Sequence, residues 1–248
     1  MSKTYFNVKI ELDKIKVDEI IDNAIRNQGK GYVCSVERNV IATSFHNHEY
    51  CKIVNDALVN ILDGSIVALF LRIALKRPVK TYIGADLFLD YVKRAKYRSY
   101  FLGNTPEVLK GLKNNLIKYD SNIADMKFET LPFMDVYSFD YKRIAQKINE
   151  DNSDIIWVSL GAPKQEIFMS KLLPHINRGV MFGFGAIFNF NSGIKNFRRA
   201  PSIFLKLKLE WLYRIIQEPK KNIKRNWEFL RITPQLIREQ RNYIMTKR

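Results

Sequence analysis

Short apolar runs alternate along this chain with segments in which apolar residues recur every three or four positions. The runs are rich in Val, Ile and aromatic residues and predict strands, whereas the 3.6-residue period predicts helices. The predicted strands cover residues 32–36, 58–62, 99–102, 155–160 and 180–184. The predicted helices cover residues 50–57, 65–74, 87–95, 106–119, 141–149 and 163–175. Because strands and helices alternate, the sequence predicts an α/β fold with a Rossmann-like parallel sheet and flanking helices.

The pattern changes near Ala200 and Pro201. Beyond this point, segments 203–216 and 220–230 carry apolar residues at helical spacing among Lys and Arg, without strand signals. We expect Pro219 and Pro234 to interrupt these helices. The 248 residues suffice for one α/β domain with an appendage. The predicted division is a Rossmann-like core over residues 1–200 and a basic, amphipathic helical appendage over residues 201–248.

Positive charge is concentrated in the same C-terminal segment. The formal net charge is +16, and residues 195–248 hold 15 Lys and Arg against 4 Asp and Glu, which is +11 of the total. A basic surface of this kind suits nucleic acid, anionic lipid or a pyrophosphate substrate.

Cysteine and histidine usage argues against disulfides and metal sites. The only cysteines are Cys34 and Cys51, and His46, His48 and His175 do not have the spacing of a ligand set. We expect a reducing compartment and no metal cofactor. The N-terminus lacks a continuous apolar region, and the most apolar stretch, residues 66–75, is too short to span a bilayer. Any membrane contact is therefore expected at the protein surface.

The strongest candidate for a ligand site is the turn after the strand at 155–160. Gly161 leaves space for a ligand at the end of that strand, and Pro163 suits the first turn of the following helix. The helix N-terminus, with Lys164 and Gln165, offers hydrogen-bond donors to a phosphate group. A strand–Gly–helix turn also occurs in doubly wound folds without any ligand, so the turn alone leaves both interpretations open.

Two further strand ends carry candidate residues. Gly103 ends a strand, and Asn104 or Thr105 is expected to cap the next helix. Neither glycine turn is a Walker motif or a GxGxxG fingerprint, which argues against P-loop hydrolases and common dinucleotide-binding proteins. Asp63 precedes Gly64 at another strand end, where it suits a general base or, equally, a turn and helix cap.

The order and spacing of these motifs resemble the WecG/TagA/CpsF family of bacterial glycosyltransferases, over about residues 32–225. The matching residues are Asp63–Gly64, Gly84–Ala85–Asp86, the run from Gly161 to Glu166, Gly183–Phe184–Gly185 with Phe188, Arg199–Ala200–Pro201, Leu209–Glu210–Trp211 with Arg214, and Glu218–Pro219.

The resemblance implies an inverting transferase with a GT-E type fold, which needs no metal ion. It would move a sugar from a uridine diphosphate donor, typically N-acetylmannosamine, to an undecaprenyl-diphosphate-linked acceptor sugar in surface-polysaccharide biosynthesis. Asp63 would be the catalytic base and Gln165 would contact the donor. The basic appendage would dock on the anionic membrane surface and close over the active site, with Arg214, Lys221 and Lys224 facing the pyrophosphate.

The resemblance therefore implies a cytoplasmic protein held peripherally at the inner face of the cell membrane, with no nucleic-acid partner. The oligomeric state is open, a homo-oligomer included. Taken with the turns described above, the residues expected to bind substrate are Ser35, Glu37, Gly84, Asp86, Gly103, Gly161, Pro163, Gln165, Glu166, Asn189, Arg214, Lys221 and Lys224.

The chain departs from the family pattern at three positions. A Thr-x-Asn motif is replaced by Ser35 and Glu37, a common Arg is replaced by Thr81, and a Phe-Asp pair ends in Asn189. Such changes alter which polar groups a site can recognise. The expected donor is therefore a uridine diphosphate sugar of the N-acetylmannosamine type or with a related hexose.

Two other classes of function stay open. Aromatic residues such as Trp211, Tyr213, Trp227 and Phe229 lie among the C-terminal cations, which suits a single-stranded nucleic acid. Their spacing, however, also suits helix packing, and the glycine turns would then have no purpose. The three departures also fit a non-catalytic homologue that binds a nucleotide sugar.

Overall fold

The computed structural model describes residues 3–194, 201, 204, 212–213, 215 and 219–246. Its strands are β1 (Lys3–Tyr5), β2 (Val8–Ile10), β3 (Lys30–Val36), β4 (Val59–Leu62), β5 (Ser99–Gly103), β6 (Lys127–Glu129), β7 (Ile155–Ser159) and β8 (Gly179–Gly183). Its helices are α1 (Lys14–Arg26), α2 (Arg38–His46), α3 (His48–Asn55), α4 (Ser65–Leu75), α5 (Gly84–Lys93), α6 (Pro106–Leu116), α7 (Tyr141–Asp151), α8 (Lys164–Leu172), α9 (Ile187–Asn191) and α10 (Pro219–Thr246).

Six strands form one parallel sheet in the order β4-β3-β8-β7-β5-β6. Strands β4, β5, β7 and β8 are buried at every position, as expected for a parallel sheet covered by helices on both faces. This confirms the predicted α/β fold. Strands β1 and β2 form a separate antiparallel hairpin, which the sequence pattern did not predict.

Two hydrophobic cores cover the two faces of the sheet. One face packs against α2, α3, α4, α7, α8 and α10, and the other packs against α1, α5, α6 and α9. In the second core the ring of Trp157 lies between Phe88 and Phe182, with ring centroids 4.8 and 4.6 Å away. The parallel strands therefore all point their carboxyl ends toward one edge of a rigid three-layer body.

Helix α10 packs against α2 and α4 and joins the first core. Phe229 is 0% exposed, and its ring lies 5.8 Å from that of Phe70 on α4. The β1–β2 hairpin holds the other end of the helix, because the Phe6 N–H donates to Gln240 Oε1 at 2.8 Å. The described part of the predicted appendage is thus packed on the core, and the domain boundary at residue 200 stays a prediction.

The expectation that Pro234 interrupts the C-terminal helices is wrong. Pro234 lies inside the continuous helix α10, whereas Pro219 is its first residue. Proline removes one backbone hydrogen bond and strains the preceding turn. The buried side chains of Phe229, Ile232 and Leu236 lie on both sides of Pro234, so packing against the core offsets that cost.

Among the helices in the described ranges, none combines the length and the apolar character needed to cross a membrane.

We predict that Phe229→Ala destabilises the fold by about 3–5 kcal/mol, because it leaves a cavity between α10 and α4. The matched control is Trp227→Ala, since Trp227 is 69% exposed on the same helix. Denaturant unfolding checks both variants. Equal stability of the two would contradict the packing of α10 described here.

Candidate active site

A cleft of about 720 Å³ lies at the carboxyl edge of the sheet. The loops or helices that follow all six strands line it, and α10 closes one side with Asn222 and Arg225. Ligands of open α/β sheets bind at this edge. The fold therefore converges on one candidate site.

Asp63 is held in the cleft by two hydrogen bonds. Its Oδ2 accepts from the Ser35 hydroxyl at 2.8 Å and from the Gly84 N–H at 3.2 Å. The register pairs Ser35 with Ile61, so Asp63 and Ser35 come together from neighbouring strands. The helix cap position of α4 belongs to Gly64, with φ +98°, and it has no side-chain cap. Asp63 thus serves the cleft and does not cap the helix.

Gln165 joins the two loops that follow β7 and β8. Its Oε1 accepts from the Gly161 N–H and the Gly185 N–H, both at 3.0 Å. Its Nε2 donates to Gly183 O at 2.8 Å and to Glu166 Oε1 at 2.9 Å. A side-chain amide has two donors and two acceptor sites, so all four are used within the protein. Since Gln165 is 4% exposed, its role in this structure is to fix the loops.

Glu166 lies behind the cleft and is 0% exposed. Its second oxygen, Oε2, accepts from the Tyr50 hydroxyl at 3.1 Å. Burial raises the pKa of Glu166 to about 7, although the hydrogen bonds from Gln165 and Tyr50 favour the ionised form. The nearby carboxylate of Glu37 raises this pKa further.

Asn104, Ser159 and Asn189 form a polar cluster at the other end of the cleft. Asn104 Nδ2 donates to Ser159 Oγ at 3.0 Å and to Asn189 Oδ1 at 2.8 Å. Asn104 has φ +66°, a conformation that Asn adopts more readily than most residues. Gly103 precedes it with φ +99°, and a β-carbon there would lie 2.7 Å from Ser159 O. These constraints explain why Gly and Asn occupy this turn.

Lys164 contacts the loop that follows β6. Its ammonium donates to Met134 O and lies 5.5 Å from the centre of the exposed Phe133 ring. It also lies 5.2 Å from the ring of Phe139. The lysine expected to meet a phosphate group thus holds the Phe133 loop at the mouth of the cleft in this structure.

The structure places the expected catalytic and substrate-binding residues in different positions relative to the cleft. Ser35, Glu37, Asp63, Gly161, Gln165 and Asn189 line the cleft. Gly84 and Gly103 lie behind the surface, Glu166 is fully buried, and Pro163 and Asp86 lie exposed at the starts of α8 and α5. Lys224 is 80% exposed, 4.0 Å from Glu228. Arg214 and the side chain of Lys221 lie outside the described residues.

Sequence reasoning missed Asn222, Arg225 and Ser159 as cleft residues. The helical period was the available signal, because residues 222, 225 and 229 share one face of α10 and residue 229 is buried against the core. Lys224 belongs to a different face. Over the described ranges there is also no group of three or more His, Cys, Asp or Glu side chains that suits a metal ion.

We predict that the wild-type fold loses stability as pH rises from 5 to 8, relative to Glu166→Gln. The folded state binds a proton at Glu166 up to about pH 7, whereas the unfolded chain releases it near pH 4.5. Stability contributed by the protonated form is thus lost as pH rises through this window, by an amount on the order of 3 kcal/mol. Unfolding at several pH values measures the difference. The exposed Glu19→Gln serves as control, and parallel pH profiles for all three proteins would contradict the prediction.

Comparison with known proteins identifies the family of the chain. A model of the WecG/TagA/CpsF glycosyl transferase family matches residues 5–245. The chain is 28% identical over 204 residues to the N-acetylglucosaminyldiphosphoundecaprenol N-acetyl-beta-D-mannosaminyltransferase of Bacillus spizizenii, which covers 80% of this chain and 76% of that protein. It is 27% identical over 190 residues to the protein of the same name from Bacillus subtilis, covering 75% and 72%. Because the family model spans nearly the whole chain, this protein is a glycosyltransferase and belongs to the WecG/TagA/CpsF family.

Proposed function

We propose that this enzyme moves a sugar from a uridine diphosphate donor to an undecaprenyl-diphosphate-linked acceptor sugar, with inversion at the anomeric carbon. The names of the two Bacillus relatives support the proposed class of acceptor, since both proteins are named for action on N-acetylglucosaminyldiphosphoundecaprenol. The observation that carries the mechanism is the Asp63 carboxylate, oriented toward the cleft by Ser35 and Gly84.

Asp63 takes the proton of an acceptor hydroxyl as that oxygen attacks the anomeric carbon of the donor. The new carbon–oxygen bond forms as the bond to the diphosphate breaks, and the diphosphate leaves with the electron pair. Arg225 and the N-terminus of α8 stabilise the negative charge that develops on the leaving group. Arg214 and Lys221 are proposed to add to this positive field. No metal ion takes part in this proposal, so activity is expected to persist in the presence of a chelator.

Glu37 is proposed to select the donor sugar. It lines the cleft, and its carboxylate makes no hydrogen bond or ion pair with the residues that the structure describes. An ionised carboxylate only accepts hydrogen bonds, whereas an amide both donates and accepts. The sugar at this position is therefore expected to present hydroxyl or N–H donors to Glu37, as N-acetylmannosamine and related hexoses do.

An apolar patch on α4 and α10 is proposed to contact the inner face of the cell membrane. It consists of the exposed side chains Leu69, Ile73, Ile223, Trp227 and Leu230. The two helices pack together. Arg241 lies on the same face of α10 as Leu230 and donates to Ile73 O on α4 at 3.2 Å. The exposed residues of α4 and α10 therefore lie on one side of the protein. Arg231 and Arg238 are exposed cations on α10, and Lys76 and Arg77 are exposed cations directly after α4. Exposed apolar residues on elements that also carry cations suit a bilayer with anionic headgroups.

We predict that Asp63→Asn lowers turnover by about 10²–10⁴-fold, because the amide cannot accept the proton. Donor affinity is expected to stay within a few-fold of wild type. Transfer from uridine diphosphate sugars to a lipid-diphosphate-linked sugar measures turnover, and thermal shift measures donor binding. The control is Asp56→Asn, which makes the same change on the exposed C-terminal end of α3. Near-normal turnover of Asp63→Asn would remove Asp63 from the role of base.

We predict that the double variant Leu69→Gln/Trp227→Gln binds vesicles of phosphatidylglycerol and phosphatidylcholine at least tenfold more weakly than wild type. Two apolar side chains are lost from the bilayer, at about 1.5–3 kcal/mol each when fully buried. Raising the salt concentration is expected to weaken wild-type binding as well, because each near-surface cation contributes about 1 kcal/mol.

The matched control for vesicle binding is Ile15→Gln, since Ile15 is also 69% exposed but lies on α1, across the sheet. Flotation of the full chain with vesicles measures the binding. An unchanged affinity of the double variant, or an equal loss in the Ile15 variant, would reject the patch as the membrane contact.

A further inference from the structure

The backbone fixes the orientation of the Asn104 side chain. Its Oδ1 accepts from the Thr105 N–H at 2.9 Å, and a backbone N–H can only donate. The Nδ2 group of Asn104 must therefore face Ser159 and Asn189. The Ser159 hydroxyl uses its proton on Gly185 O at 2.8 Å, so it accepts from Asn104, consistent with this orientation.

The orientation of the Asn104 amide in turn fixes the orientation of the Asn189 amide. Because Asn104 presents an N–H group, Asn189 must turn its Oδ1 toward it, and this bond is 2.8 Å long. The Nδ2 group of Asn189 is then directed away from Asn104. It makes no hydrogen bond with the residues that the structure describes, and Asn189 lines the cleft and is partly exposed. The cleft wall thus offers a hydrogen-bond donor at this position.

The position of this donor relative to Asp63 indicates which part of a ligand meets it. Asp63 follows β4 and Asn104 follows β5, and the order β4-β3-β8-β7-β5 separates these strands by four spacings. At about 4.8 Å for each spacing, the two strand ends lie ~19 Å apart across the sheet. This separation suits the length of an extended nucleoside-diphosphate sugar. With the anomeric carbon at Asp63, the nucleoside of an extended donor would lie at Asn104, which the Asn189 side chain contacts.

We infer that Asn189 donates an N–H hydrogen bond to an acceptor oxygen of the donor's nucleoside, and that Asn104 fixes the Asn189 amide in this orientation. The oxygen belongs to a carbonyl of the base, which can only accept a hydrogen bond. This inference rests on the proposed uridine diphosphate donor and specifies how its nucleoside is recognised. Asn189 is a specificity-determining residue, and Asn104 is a positioning residue.

Calorimetric titration of the full chain with uridine diphosphate tests the inference. Asn189→Ala removes the donor that faces the cleft and adds no charge, and affinity is expected to fall about tenfold or more. Asn104→Asp offers only acceptors to Asn189, so the Asn189 amide turns its oxygen to the cleft and affinity falls about tenfold as well.

Three controls separate recognition from charge and folding. Asn122→Asp adds the same charge at an exposed position outside the cleft and leaves affinity unchanged. Inorganic diphosphate, which lacks a nucleoside, binds all variants nearly as it binds wild type. Thermal unfolding confirms that each variant folds. In the transfer assay, Asn104→Asp raises the KM for the donor about tenfold and leaves kcat at saturation nearly unchanged.

Each outcome is decisive. Unchanged or tighter binding of uridine diphosphate to Asn189→Ala overturns the inference, as does an equal loss for inorganic diphosphate. Wild-type affinity in Asn104→Asp overturns the positioning role. The 2′-deoxy analogue tests the acceptor: a loss in Asn189→Ala that persists with the analogue supports the base carbonyl, and one that disappears overturns it. If wild type itself fails to bind uridine diphosphate, the proposed donor is wrong and this inference falls with it.

Discussion

The cleft depends on the four hydrogen bonds of the Gln165 side chain. They tie the loop after β7 to the loop after β8, where a β-carbon at Gly185 would lie 2.6 Å from the Gly161 nitrogen. No side chain fits between backbones this close, so only glycine with a bridging amide can hold them together. The loops that carry candidate ligand groups therefore have their positions set by one residue that is only 4% exposed.

The residues behind Gln165 show that this arrangement has an energetic cost. Glu166 accepts hydrogen bonds from Gln165 and Tyr50 in a fully buried site, where its ionised form is unfavourable. The ionised form nevertheless offers acceptors only, and this form reinforces the orientation in which the Gln165 oxygen meets the two glycine N–H groups. Buried polar networks of this kind specify one arrangement at the expense of stability, which is a common compromise at functional sites.

The sequence pattern predicted the strands with strong apolar character and missed the elements without it. Strand β6 has three residues and lies at the sheet edge, and α2 mixes polar residues with its apolar ones, so neither has a clear period. The Gly161–Gln165 turn was recognisable because its motif is contiguous. The sequence did not show that Gln165 holds two loops together. Its partners Gly183 and Gly185 lie at the end of a different strand, 18 and 20 residues further along the chain. Asn104 was recognisable as a turn residue, whereas its bond to Asn189, 85 residues away, required the fold.

Helix α10 connects the two surfaces on which the proposed reaction depends. Its buried face, anchored by Phe229, places Asn222 and Arg225 at the cleft, and a separate face carries Ile223, Trp227 and Leu230. Because a helix is rigid over such a short distance, the depth at which the outer face enters a bilayer would also set the distance between the membrane and the cleft. The acceptor proposed for this enzyme has its diphosphate at the membrane surface. A helix that belongs to both the core and the membrane contact would therefore bring Asp63 to a defined height above the lipid, which a flexible tether cannot do.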